Sequence, residues 1–168
     1  VQVGKRRERM TLQRAEFLIP HRRDMNLLEW VKNPAWKGLQ ARTTVKESWP
    51  LNRDGAVSSL LCIELVAQAV SAMSTWRRGQ GARPRIGLLV GIKEAELFTV
   101  SLPLGTELTI NVEELYHVGN YAVFKGRVIS GSTLLCAAMV QVMESEGDDF
   151  MDDLRHRRTR QDVKEGRD

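Results

Sequence analysis

Cysteine and histidine are both scarce in this chain, with two cysteines, Cys62 and Cys136, and three histidines, His21, His117 and His156. Two thiols make no disulfide framework, and each lies in an apolar stretch, so both read as buried free thiols in a reducing compartment. The histidines are scattered, and no Cys or His pair has ligand spacing, so no metal site is expected. Aromatic residues make up only 6%. They are not interleaved with the basic residues, which argues against a nucleic-acid partner. A signal peptide is also missing, because the basic residues 1–9 are not followed by an apolar stretch. The longest oily run, residues 56–76, has the length of a membrane span, but Glu64, Gln68 and four serines interrupt it. No internal repeat or low-complexity block stands out. These absences point to a cytoplasmic protein with neither a membrane nor a nucleic acid as partner.

What is present is 168 residues, enough for one domain with a real core and not comfortably for two. Composition divides the chain into a basic N-terminal extension (1–13), a body (14–145) and a charged tail (146–168). The tail has too few apolar residues for a core of its own, although Phe150 and Leu154 could dock one short helix. The formal charge is +4. Since the basic start and the acid-rich end offset each other, the body itself is mildly basic. That suits an acidic partner without selecting one.

Residues 56–76 are apolar nearly all the way round, which predicts a helix buried in its domain. Glu64 and Gln68 sit in it one turn apart. An unpaired carboxylate in such surroundings tends to hold its proton through desolvation, and that is how proteins make a general acid near neutral pH. The plainer alternative is that Glu64 satisfies donors at the rim of a core.

Ahead of the helix, residues 14–19 read as a short helix stopped by Pro20. Residues 25–32 read as a first strand, Asn33-Pro34 as a turn, and residues 38–47 as a second strand with Leu39, Ala41, Thr43 and Val45 on one face. A loop, residues 48–55, feeds the helix, and Gly79 and Gly81 can cap its end. Thereafter the chain is nearly all strand. Residues 85–98 are bulged around Gly91, residues 106–118 follow, and residues 120–129 and 133–143 form a hairpin about Ser130-Gly131-Ser132. The expected fold is α+β, one long central helix wrapped by a curved antiparallel sheet of about five to six strands.

Four stretches in this order resemble the hotdog-fold 3-hydroxyacyl-(acyl carrier protein) dehydratases, especially the dehydratase-like branch of aryl polyene and polyketide pathways. Leu18-Ile19-Pro20-His21-Arg22 followed by Leu27-Leu28-Glu29-Trp30-Val31 is similar to the family's Leu-Pro-His-Arg segment and the strand after it. Ile63-Glu64-Leu65-Val66-Ala67-Gln68-Ala69 is similar to its central-helix signature, whose glutamate is catalytic. Gly91-Ile92-Lys93-Glu94-Ala95 through Pro103-Leu104-Gly105-Thr106-Glu107-Leu108 resembles a glycine-containing strand and its following turn, and Phe124-Lys125-Gly126-Arg127-Val128 to Ala137-Ala138 the closing hairpin.

The resemblance implies a hotdog domain over residues 14–145 that dehydrates 3-hydroxyacyl thioesters, carried as acyl-phosphopantetheine on an acyl carrier protein, without a cofactor. It also implies a homodimer, or a heterodimer with another hotdog subunit, whose sheets join edge to edge. Glu64 would be the acid, Gln68 would orient it, and the N–H of Gly91 would hold the thioester oxygen. A glycine that merely lets the strand bend explains Gly91 equally well. Arg77, Arg78, Arg83 and Arg85 would form a basic rim for the acidic carrier, and an ordinary solvated face is the alternative.

One departure bears on the chemistry. The family's catalytic histidine lies fourteen residues before the glutamate, and that position here is Pro50. His21 is the substitute candidate as base, or else a local turn cap. Two further readings stay open: a noncatalytic partner subunit of a dehydratase heterodimer, and an acyl-thioester hydrolase on the same fold.

Overall fold

The computed structural model describes residues 12–21, 23–35, 38–79, 81 and 87–144. In chain order these form strands β1 (Leu12–Arg14), β2 (Trp30–Ala35), β3 (Gly38–Thr44), β4 (Asn52–Arg53) and β5 (Ala56–Ser58), then helix α1 (Leu61–Arg77). Strands β6 (Gly87–Leu97), β7 (Ser101–Pro103), β8 (Glu107–Val118), β9 (Tyr121–Ser130) and β10 (Thr133–Glu144) complete it. Seven strands make one sheet in the order β1-β2-β3-β8-β9-β10-β6, with every neighbouring pair antiparallel. The short strands β4, β5 and β7 make a separate sheet.

Alternation explains why the large sheet takes its side chains inward. Leu39, Ala41 and Thr43 on β3, Leu108, Ile110 and Val112 on β8, and Ala122, Phe124 and Val128 on β9 are all buried, with exposed or half-buried residues between them. Helix α1 supplies the other side of the core through Leu65, Val66, Ala69 and Met73, all fully buried. Packing against β2, β3, β6, β8, β9 and β10 at once requires the sheet to wrap around it. The helix comes close at Gly126, where a Cβ would lie 2.3 Å from Val66 Cγ1, so this inward position on β9 favours glycine.

Three local expectations give way to tertiary context. Helix α1 begins at Leu61, not near residue 56, because Ala56–Ser58 pairs with β4 and β7 after a turn in which Asp54 and Gly55 take positive φ. A short apolar run does not distinguish a buried strand from a buried helix end. Residues 25–28 join no ladder, since Gln68 and Thr43 claim the backbone groups of Met25 and Leu27 instead. Asn33-Pro34 lies within β2 as a register irregularity between Lys32 and Ala35, not as a turn. The sheet also gains a strand, because Leu12–Arg14 pairs with Trp30–Lys32. Cys62 and Cys136 are buried and free, as expected. Among the described residues no helix is long and apolar enough to cross a membrane.

Candidate active site

On α1 the residues Glu64, Ala67, Ser71, Ser74, Arg77 and Arg78 recur every three to four positions and so share one side of the helix. That side forms the wall of a cavity of about 260 Å³. Pro20, His21 and Glu64 line one end, with Val70, Ala122, Phe124 and Val142 as apolar lining beyond them. Arg77, Arg78, Glu114, His117, Asn120 and Glu144 line it near the other end of the helix, where Arg78, His117 and Asn120 are exposed.

His21 reaches the site through local folding of the segment before it. Leu18 and Ile19 are buried anchors, and their N–H groups both return to the Ala15 carbonyl at 2.8 and 3.1 Å, which closes a tight turn ahead of Pro20. His21 Nε2 then lies 3.3 Å from Glu64 Oε1, and the two side chains are 32% and 28% exposed. Gln68, fully buried one turn along, fixes the arrangement. Its Oε1 accepts the Leu27 N–H at 3.1 Å, while its Nε2 donates to the Met25 carbonyl and to Glu64 Oε1, each at 2.8 Å. Because Oε1 of the amide is taken by a backbone donor, the NH₂ has to face the carboxylate. Glu64 is therefore not the unpaired carboxylate that an all-apolar helix suggested. It is paired on one oxygen and still borders a cavity.

Of the residues proposed from sequence, the structure thus brings Glu64, His21 and Gln68 together. Arg77 and Arg78 lie at the far end of the same cavity, where Arg77 pairs with Glu114 and Arg78 donates to Thr75 Oγ1 at 3.3 Å. Arg83 and Arg85 lie outside the described residues. Gly91 is not in the lining of this cavity, to which β6 contributes Gly87 and Leu89. It sits opposite Gln141 between two register shifts, and a Cβ there would lie 2.2 Å from Gln141 Oε1. Pro50, the position of the family's histidine, is also absent from the lining. Sequence reasoning passed over Ser71, Ser74, Glu114, Asn120 and Glu144. The two serines carried a signal, their helical spacing from Glu64, whereas the strand residues carried none. Among the described residues no cluster of His, Cys, Asp and Glu is arranged to hold a metal ion.

A family model described as ApeP dehydratase, ApeP-like, matches residues 13–154. The chain belongs to the ApeP-like dehydratase family. Its fold is shared by solved structures of low identity. One is the dehydratase heterocomplex ApeI:P from Xenorhabdus doucetiae, with a TM-score of 0.75 and 22% identity over 84% of this chain and 97% of that one. Another is Cj0977, a sigma28-regulated virulence protein from Campylobacter jejuni, with a TM-score of 0.61 and 12% identity over 82% and 90%. A third is a hypothetical thioesterase with coenzyme A from Streptococcus pneumoniae TIGR4, with a TM-score of 0.54 and 16% identity over 68% and 84%. A search of curated proteins finds no match. The fold is therefore the hotdog, and the ApeP-like assignment agrees with the resemblance read from the sequence.

Proposed function

We propose that the protein dehydrates 3-hydroxyacyl thioesters presented as acyl-phosphopantetheine on an acyl carrier protein. The observation that supports this best is the pairing of His21 Nε2 with Glu64 Oε1 at 3.3 Å, at one end of a groove with apolar walls. In this reading neutral His21 removes the proton alpha to the thioester, and the C–H electrons form the double bond as the bond to the 3-hydroxyl breaks. Glu64 gives its proton to the departing oxygen, which leaves as water. Since Oε1 already accepts the Gln68 N–H, that proton belongs on Oε2. The imidazolium then returns a proton to the carboxylate beside it, and the pair is reset.

Two partners fit the same reading. Arg77 and Arg78 stand about 20 Å from Glu64 along the helix axis, where a basic rim would meet an acidic carrier. Strand β6 ends the large sheet, and Leu89, Val90 and Ile92 on it are 42%, 47% and 48% exposed. Such an edge suits pairing with a second hotdog subunit, either a copy of this chain or a different one. The heterocomplex among the similar structures supports the second arrangement for this chain as well.

The test is conversion of a 3-hydroxybutyryl thioester to its 2-enoyl product. Glu64→Gln and His21→Ala are each expected to lower turnover by about 10²–10⁴-fold while the protein stays folded. Activity that appears only when another hotdog subunit is added, and that ignores both substitutions, would make this chain a noncatalytic partner. Thiol release without enoyl product would make it a hydrolase.

A further inference from the structure

Ser71 lines the groove midway along α1, and its Oγ is buried with no hydrogen-bond partner among the described residues. A helical serine ordinarily returns its hydroxyl to the carbonyl one turn back or turns it to solvent. A buried hydroxyl that does neither costs stability, and alanine would be the better helix former at that position. The hydroxyl is best explained by something that enters the groove.

Its position says what that is. Ser71 is two helical turns from Glu64, on the same side of α1 and about 10 Å along the axis. Around that level the wall is made by Val70, Ala122, Phe124 and Val142, all buried and apolar. About 20 Å from Glu64 the groove reaches the exposed Arg78, beside Asn120, Glu144 and the Arg77–Glu114 pair, so this end is polar. The occupant therefore has a largely hydrocarbon body, one hydrogen-bonding group about 10 Å from the reacting carbon and a polar group farther out. A plain alkyl tail has neither polar group. An extended phosphopantetheine arm has both: standard bond lengths place its second amide roughly 11 Å from the thioester carbon and its phosphorus roughly 17 Å away.

We infer that Ser71 binds the carrier's prosthetic arm, its hydroxyl hydrogen-bonding the second amide of phosphopantetheine while the thioester lies at Glu64. This rests on the proposed thioester chemistry for its orientation, but it is tested by binding alone. The probes are two inert β-ketothioethers, S-(2-oxopentyl)pantetheine, which has both amides, and S-(2-oxopentyl)-N-acetylcysteamine, which ends after the first.

Isothermal titration of the purified protein is expected to show that Ser71→Ala weakens the pantetheine probe by roughly 2- to 13-fold, the range of one neutral hydrogen bond, and leaves the shorter probe unchanged. Ser71→Thr, which keeps the hydroxyl, is expected to retain the difference between the probes. The alanine variant should melt no lower than the parent, which separates loss of a ligand contact from loss of fold. Equal weakening of both probes, no weakening of either, or no binding of either to the parent protein would overturn the inference. Ser71-dependent binding without dehydration of 3-hydroxybutyryl-pantetheine would instead leave the arm site standing and remove the proposed chemistry.

Discussion

Replacing Gln68 with leucine separates the structural from the chemical role of the residue that ties the His21 loop to the helix. Leucine approximates the volume but returns none of the three hydrogen bonds. The largest loss is at Leu27, a residue 1% exposed, whose N–H is left without its acceptor. An unpaired buried donor costs about 1–3 kcal/mol. The Met25 carbonyl belongs to a residue 42% exposed, so water can replace its donor at little cost. Glu64 is 28% exposed, and after discounting for solvent its lost donor adds about 0.5–1 kcal/mol. The expected destabilisation is about 1.5–4 kcal/mol, which lowers the melting temperature by roughly 3–16 °C for a chain of this size. Urea unfolding followed by circular dichroism measures the first figure, and a thermal melt the second. Hydrogen exchange should show the Leu27 amide losing protection before the neighbouring β3 amides do. A loss below about 1 kcal/mol with Leu27 still protected would mean that the loop stands without Gln68, and the account of how His21 is placed would fail.

Packing and thiol chemistry supply two further tests. Gly126→Ala pushes a methyl into Val66 and should cost about 1–3 kcal/mol, most of it recovered in the double variant with Val66→Ala; additive losses in urea unfolding would refute the direct contact. A hydrogen bond to Cys136, together with burial, pushes the Cys62 thiol up, and both cysteines are inaccessible. At about pH 8 neither should take iodoacetamide in the native protein and both should in urea, so rapid native labelling by intact mass would contradict the packing of α1 on β10.

The sheet was largely legible in the sequence because alternation is a direct consequence of one-sided burial. Leu39, Ala41, Thr43 and Val45 were assigned to one face by period alone, and all four are buried. The helix was legible in its body and not at its start. Val57 is as apolar as Val66, and only the pairing of Ala56–Ser58 with β4 and β7 makes it a strand. One part of the site could be read directly: the Glu64/Gln68 pair stood out as polar groups in an oily run. His21 was marked only by the resemblance of Leu18-Ile19-Pro20-His21-Arg22, since residues 14–19 read as a short helix, of which a single 3₁₀ turn at Ala15–Phe17 forms while Arg14 ends a strand. The bond from Gln68 to the Leu27 backbone, and the arrival of Glu114, His117 and Asn120 beside Arg77, are contacts across the fold. No local period encodes them. Ser71 lies between these cases, since its spacing was visible while its lack of a partner was not.

The outer margin of β6 bears on how the protein behaves at high concentration. Among the described residues no strand pairs with the outer side of its eleven residues, several of them oily, and such a side is a template that any extended chain can read, including another molecule of the same kind. The register slips on either side of Gly91 kink that template. Flat, endless stacking is then disfavoured, whereas one reciprocal embrace between two molecules is not. A preparation lacking a different mate should therefore pass from single molecules to pairs as it is concentrated, staying clear, and supplying the mate should replace those pairs without any change in the fold of either half.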